Sequence, residues 1–123
     1  MFAGVEAFNS ELSDWDVSSS TDFSEMFYRA SKFNQNLNDW NVSNATTMKS
    51  MFNGAESFNQ PLDKWGTKLG RVTDMERMFF RAVSFKEVIS SWDVSSVTSY
   101  QYFGYAGMTK SQVPAKFQST VSY

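Results

Sequence analysis

The side chains able to do chemistry in this 123-residue chain are carboxylates, lysines and serines, because it contains no histidine and no cysteine. The first absence removes the usual general base and the commonest transition-metal ligand. The second removes thiolate nucleophiles, zinc ribbons and disulfides. The most regular acids are Asp16 and Asp93, each directly after a tryptophan. Such a column suits a carboxylate pair or a weak calcium site, but Asn41 and Gly66 interrupt it at the two intervening tryptophans. No nucleophile–base pair and no glycine-rich phosphate loop accompanies them. The residues imply no catalysis, no metal and no cofactor.

Recognition is the chemistry left to these side chains. The polar residues beside the tryptophans, Asp14, Asp16, Asp39, Asn41, Lys64 and Asp93, are expected to share one exposed face with the basic pair Lys68 and Arg71. Charge is unevenly placed along the chain. Residues 1–61 carry three basic and eight acidic side chains, and residues 62–123 carry eight and five. This asymmetry favours a protein partner of reverse polarity. The net charge of −2 and the lack of a basic stripe with stacking aromatics argue against nucleic acid. No run approaches the roughly 18 apolar residues of a membrane helix.

Those residues are positioned by a repeat. Trp15, Trp40, Trp65 and Trp92 are the four tryptophans of the chain and recur at intervals of 25, 25 and 27 residues. The second unit reads Met26-Phe27, Ala30, Phe33-Asn34, Leu37, Trp40, Val42-Ser43, Thr46 and Met48, then restarts at Met51-Phe52 and again at Met78-Phe79. Six of the seven methionines fall on fixed phases, which assigns them to the core.

Two periods alternate within a unit. Spacings of three and four at Met48, Met51, Phe52 and Ala55 put these residues on one helical face, as do those over 23–30 and 75–82. Thr21, Thr46, Thr73 and Thr98 stand ahead as N-caps, with Glu76 and Gln101 at capping-box spacing from the last two. The second period, Leu37-x-x-Trp40-x-Val42, predicts a short strand with one buried face. Between the two sit Phe8-Asn9, Phe33-Asn34 and Phe58-Asn59, where the asparagines bond local backbone or form a ladder between units.

The string Met-Phe-x-x-Ala-x-x-Phe-Asn-x-x-Leu-x-x-Trp-Asp/Asn-Val-Ser, complete at 26–43, resembles the 25-residue repeats of the BspA-like, leucine-rich-repeat-like surface proteins, also met in mycoplasma lipoproteins. The resemblance covers about residues 1–106. It implies an α/β repeat solenoid of four to five coils, each a short strand plus a short helix. It also implies an extracellular or cell-surface role in adhesion or protein binding. Units start near 1, 26, 51, 78 and 102, giving a repeat region 1–107 and a tail or cap at 108–123.

Departures from the consensus carry expectations of their own. Gly66, Lys68 and Gly70 predict a bulged coil in the third unit. Because Met1-Phe2 already lies inside the motif, further sequence is expected before it, and open ends are expected to associate. Asn41-Val42-Ser43 and Asn44-Ala45-Thr46 fit the glycosylation pattern, though turn and strand polar residues are the preferred reading. The leading function is a non-enzymatic protein-binding module, for surface adhesion or as a structural subunit of a larger assembly. Glycan binding through exposed tryptophans is the alternative.

Overall fold

The computed structural model describes residues 3–105 and 107–121. Among them there is no strand and no α-helix. The regular elements are three short 3-10 helices, Asp63–Lys68, Lys110–Gln112 and Ala115–Thr120. The expected α/β solenoid is therefore not what this sequence builds, and the leucine-rich-repeat description falls with it, since that architecture needs a strand in every coil.

What forms instead is a stack of consecutive β-turns. Over the expected helix 23–30, Met26 N–H donates to the Phe23 carbonyl and Ala30 N–H to Phe27. The third residue of each turn, Glu25 and Arg29, has φ of 56° and 58°. A 1→4 bond with positive φ at the third position marks type II geometry. The next units repeat it, with Ser50 and Gly54, then Arg77 and Arg81, at positive φ. Two turns in tandem bury their first and last residues, which yields the 23, 26, 27, 30 spacing that also describes a helical face.

Competition for hydrogen bonds explains the outcome. An eight-residue helix lies below the ~12 residues at which isolated helices become marginal. In the turns, alternate N–H groups are free to reach the following coil. Phe23, Glu25, Phe27 and Arg29 donate to the carbonyls of Thr47, Lys49, Met51 and Asn53 at 2.7–3.0 Å, and Met48, Ser50, Phe52 and Gly54 continue to Asp74, Glu76, Met78 and Phe80. Successive coils also meet in parallel bridges at one phase, Asp22 to Thr47 to Asp74 to Ser99.

The threonines are not N-caps. Thr46, Thr73 and Thr98 donate backbone N–H to the carbonyl of Thr21, Thr46 and Thr73 respectively, and their hydroxyls aim at the same oxygens. Capping falls one residue later, where Asp22, Thr47 and Asp74 accept the N–H two residues on.

The expected strand is also a pair of turns. Trp40 N–H donates to the Leu37 carbonyl and Ala45 N–H to Val42, with equivalents at Trp15, Trp65 and Trp92. The indole N–H of Trp40, Trp65 and Trp92 reaches back to the carbonyl of Leu12, Leu37 and Leu62, each at 2.9 Å. The asparagine ladder is present at the Phe-Asn pairs: Asn9 Oδ1 accepts from Asn34 N–H, Asn34 from Asn59, and Asn59 from Lys86.

Side chains inside the stack form columns. Phe27, Phe52 and Phe79 stack at 5.6 and 5.3 Å, and Phe8, Phe33, Phe58 and Phe85 at 5.6, 5.9 and 6.0 Å. Trp40, Trp65 and Trp92 are buried in this core. Trp15, in the first unit, is 43% exposed, unlike its three counterparts. In the third unit the expected bulge is the 3-10 helix Asp63–Lys68, with Trp65 and Gly66 buried. In the tail, Phe117 packs on Tyr100 and Phe103 with ring centroids 4.8 and 4.5 Å apart, and the Lys116 ammonium donates to the carbonyls of Val94 and Val97.

Candidate functional site

The residues marked by their place beside tryptophan are used mainly to hold the turns. Asp16, Asn41 and Asp93 each accept both the N–H and the hydroxyl of the serine two residues on, Ser18, Ser43 and Ser95. These local bonds hold the Asp16 and Asp93 carboxyls below the usual carboxylate range, the serine hydroxyl contributing most and the serine N–H next. Asp22 is lowered in the same way by Ser24. Lys64 pairs with Asp39 at 3.0 Å across one unit. Lys68 reaches the Trp40 carbonyl at 3.5 Å and Arg71 donates to Asn44 Oδ1. Asp14 is exposed. Only Lys64 and Asp39 of this set are drawn together as a charged pair.

A different region has the shape of a site. The tandem type II turns of three successive coils place equivalent residues side by side: Glu25, Ser50 and Arg77; Tyr28, Asn53 and Phe80; Arg29, Gly54 and Arg81. In each set the middle coil carries the small residue and the outer coils the large ones. The result is a trough of about 660 Å³ floored by Ser50, Asn53 and Gly54 and walled by Glu25, Tyr28 and Arg29 on one side and Arg77, Phe80 and Arg81 on the other. Two coil spacings set the walls roughly 10 Å apart.

Gly54 is what opens the floor. Its φ is +78°, and a Cβ there would sit 3.2 Å from Arg29 Cγ. Arg29 and Arg81 occupy the equivalent turn position despite their side chains, with φ of 58° and 63°. A left-handed conformation costs an L-residue roughly 1–2 kcal/mol, and Arg29 and Arg81 share it with Glu25, Ser50 and Arg77 of the same trough. Each guanidinium lies over the ring beside it, Arg29 on Tyr28 at 5.1 Å and Arg81 on Phe80 at 5.3 Å. Neither makes an ion pair among the described residues, whereas Arg77 is paired to Glu76 at 2.8 Å and Lys49 lies 3.9 Å from the same carboxylate. Glu6 and Glu56 line the trough beyond Gly54.

This arrangement can hold an anion flanked by cations and aromatic surface; it offers no paired acid and base. No group of three or more Asp or Glu side chains among the described residues is placed to hold a metal ion. None of the trough residues was marked by the repeat, because the repeat marks what recurs and the trough exists where the side chains differ. Gly4 and Gly54, at the same phase as Arg29 and Arg81, were the available signal: glycine recurring within a helical pattern points to positive φ.

Residues 1–116 match the family described as "Mycoplasma protein of unknown function, DUF285". The chain belongs to this family. No curated protein and no solved structure matches it. Family membership extends over the whole repeat and most of the tail, so stack and trough both lie within the shared sequence. Among the described residues no helix is long and apolar enough to cross a membrane.

Proposed function

We propose that this DUF285 chain is a non-enzymatic protein-recognition module that presents the trough as its binding surface. The observation that carries this reading is the contrast between a recurring framework and one open, charged depression in which corresponding residues differ from coil to coil. A stack of repeats is a scaffold, and its specificity resides in the exposed side chains that depart from the consensus. The BspA-like character of the repeat string supports the same reading, with adhesion or a structural place in a larger surface assembly as its setting. Burial of Trp40, Trp65 and Trp92 withdraws three of the four rings that a glycan-binding reading needs as sugar platforms.

The test is selection from a random-peptide display library on the intact chain, run beside a glycan array. Enrichment of one or more peptide families with no glycan signal is the expected result. Glycan capture without peptide enrichment would overturn the reading.

A further inference from the structure

Resting on that reading, we propose that the trough receives an extended peptide whose acidic side chain sits between Arg29 and Arg81 and whose basic side chain, two residues away, faces Glu56. Three features of the trough carry this assignment.

The first is the arginine pair. Arg29 and Arg81 stand on either side of Gly54, lack an ion pair among the described residues, and rest on Tyr28 and Phe80. A guanidinium stacked on a ring keeps its fork of donors for another partner, and a planar carboxylate meets that fork with two parallel bonds. Lysine in these positions would present a point charge without that fit.

The second is the disposition of the remaining charge. Lys49, Arg77 and Glu76 are tied to one another, which leaves the arginine pair facing Glu56 and Glu6 beyond the glycine, and Glu25 at the other end. Lys49 and Arg77 share the one carboxylate of Glu76 and with Glu25 leave that end close to neutral, so a polyanion would be repelled beyond Gly54 and a polycation at the arginine pair. The order of charge calls for an acid and a base in alternation. Glu56 follows Gly54 directly after the turn closed by Ala55 N–H and the Phe52 carbonyl, so acid and base contacts lie close together, and in an extended ligand the nearest side chains on one face are two residues apart.

The third is width. Walls roughly 10 Å apart admit one extended chain between Tyr28 and Phe80, over a floor whose Asn53 side chain amide makes only a 3.4 Å contact with Ser50 Oγ. The ligand's backbone can therefore bond to Asn53 without breaking a strong internal contact.

The experiment titrates the isotope-labelled intact chain with capped peptides Gly-Glu-Ala-Lys-Gly, Gly-Glu-Ala-Glu-Gly and Gly-Lys-Ala-Lys-Gly, and with inorganic phosphate, following the Gly54 and Asn53 amides and the arginine side-chain signals. The acid-x-base peptide should bind at least about tenfold more tightly than either like-charged peptide. Arg29→Gln and Arg81→Gln should each weaken it by about tenfold, the loss expected for one bidentate charge-assisted contact. Asn53→Tyr fills the floor between Tyr28 and Phe80 and leaves both arginines in the chain. It should abolish binding while leaving the melting temperature equal or higher. Equal binding of the all-lysine peptide, unaltered binding by the Asn53→Tyr chain, or phosphate matching the peptide in affinity and shifted residues would each overturn the proposal. Peptides enriched by display that still bind the Asn53→Tyr chain would remove the trough assignment and leave protein recognition standing.

Discussion

Residues 41–45 and residues 49–54 lie close together along the chain, yet their polar side chains have different fates. In the first stretch Asn41 holds the N–H and hydroxyl of Ser43, as Asp16 and Asp93 hold Ser18 and Ser95 one unit before and two units after. In the second, Ser50, Asn53 and Gly54 replace Glu25, Tyr28 and Arg29 of the preceding coil, and their shortness leaves a trough. A polar residue that recurs at a fixed phase is part of the machinery of the turn. One that changes from coil to coil is available for something else.

The framework side of this contrast is broken most strongly at a tryptophan. Trp65 is fully buried and donates its indole N–H to Leu37, so Trp65→Ala should cost about 3–5 kcal/mol in denaturant melts. Trp15→Ala, at a ring 43% exposed, should cost about 1 kcal/mol or less. Equal losses at the two sites would mean that the exposed ring is as tightly packed as the buried one.

Next in size are backbone changes at the trough. Gly54→Ala puts a Cβ at φ +78° and 3.2 Å from Arg29 Cγ, and should cost about 1–2 kcal/mol. Arg81→Gly relieves a left-handed arginine at φ 63° and should raise stability by up to about 1 kcal/mol. Opposite signs from two changes at one turn position are the result to look for. Destabilisation by both would mean that Arg81 contributes more by packing on Phe80 than its backbone strain removes.

These pairs also show what was legible in the chain. The unit length, the aromatic columns and the asparagine ladder follow from spacing, because stacking at a fixed interval leaves the same chemical demand at each phase. The type of local structure did not follow. Buried residues at 23, 26, 27 and 30 satisfy a helical face and two tandem turns equally well, and in so short a segment the bonds between coils decide. Leu37-x-x-Trp40 is ambiguous in the same way, its spacing of three being that of a turn closed by a 1→4 bond. The trough was hidden because it appears only when Tyr28, Asn53 and Phe80 are seen side by side, and no recurrence draws the eye to three unlike residues.

Smaller effects are expected where sequence first placed the binding surface. The Lys64–Asp39 pair has both side chains mostly exposed, at 61% and 71%, and exposed pairs contribute about 0.2–1 kcal/mol. Converting Lys64, Lys68 and Arg71 to alanine together should therefore move the melting midpoint little, and should leave the affinity of the acid-x-base peptide unchanged. A clear loss of that affinity would relocate recognition from the trough to the tryptophan turns.

The smallest effect belongs to the capping carboxylates and depends on pH. Asp16 and Asp93 are held below the ordinary carboxylate range first by the serine hydroxyls and then by the serine N–H groups. A carboxyl whose folded pKa lies below its unfolded value contributes stability that is complete above the unfolded pKa and is lost as pH falls through the folded one. Asn41 performs the same capping in the second unit with no charge at all, so Asp16→Asn with Asp93→Asn should be close to neutral in urea melts near pH 7. The difference should emerge on acidification. As pH falls through and below the ordinary carboxylate range, the parent chain should lose part of its stability at these two turns and the double variant should not, so midpoints that are close at pH 7 should separate, with the variant the more stable in acid. Parallel acid dependence of the two chains would show that the serine contacts bind the neutral and charged carboxyls alike, and would reduce the aspartates at these phases to interchangeable spacers.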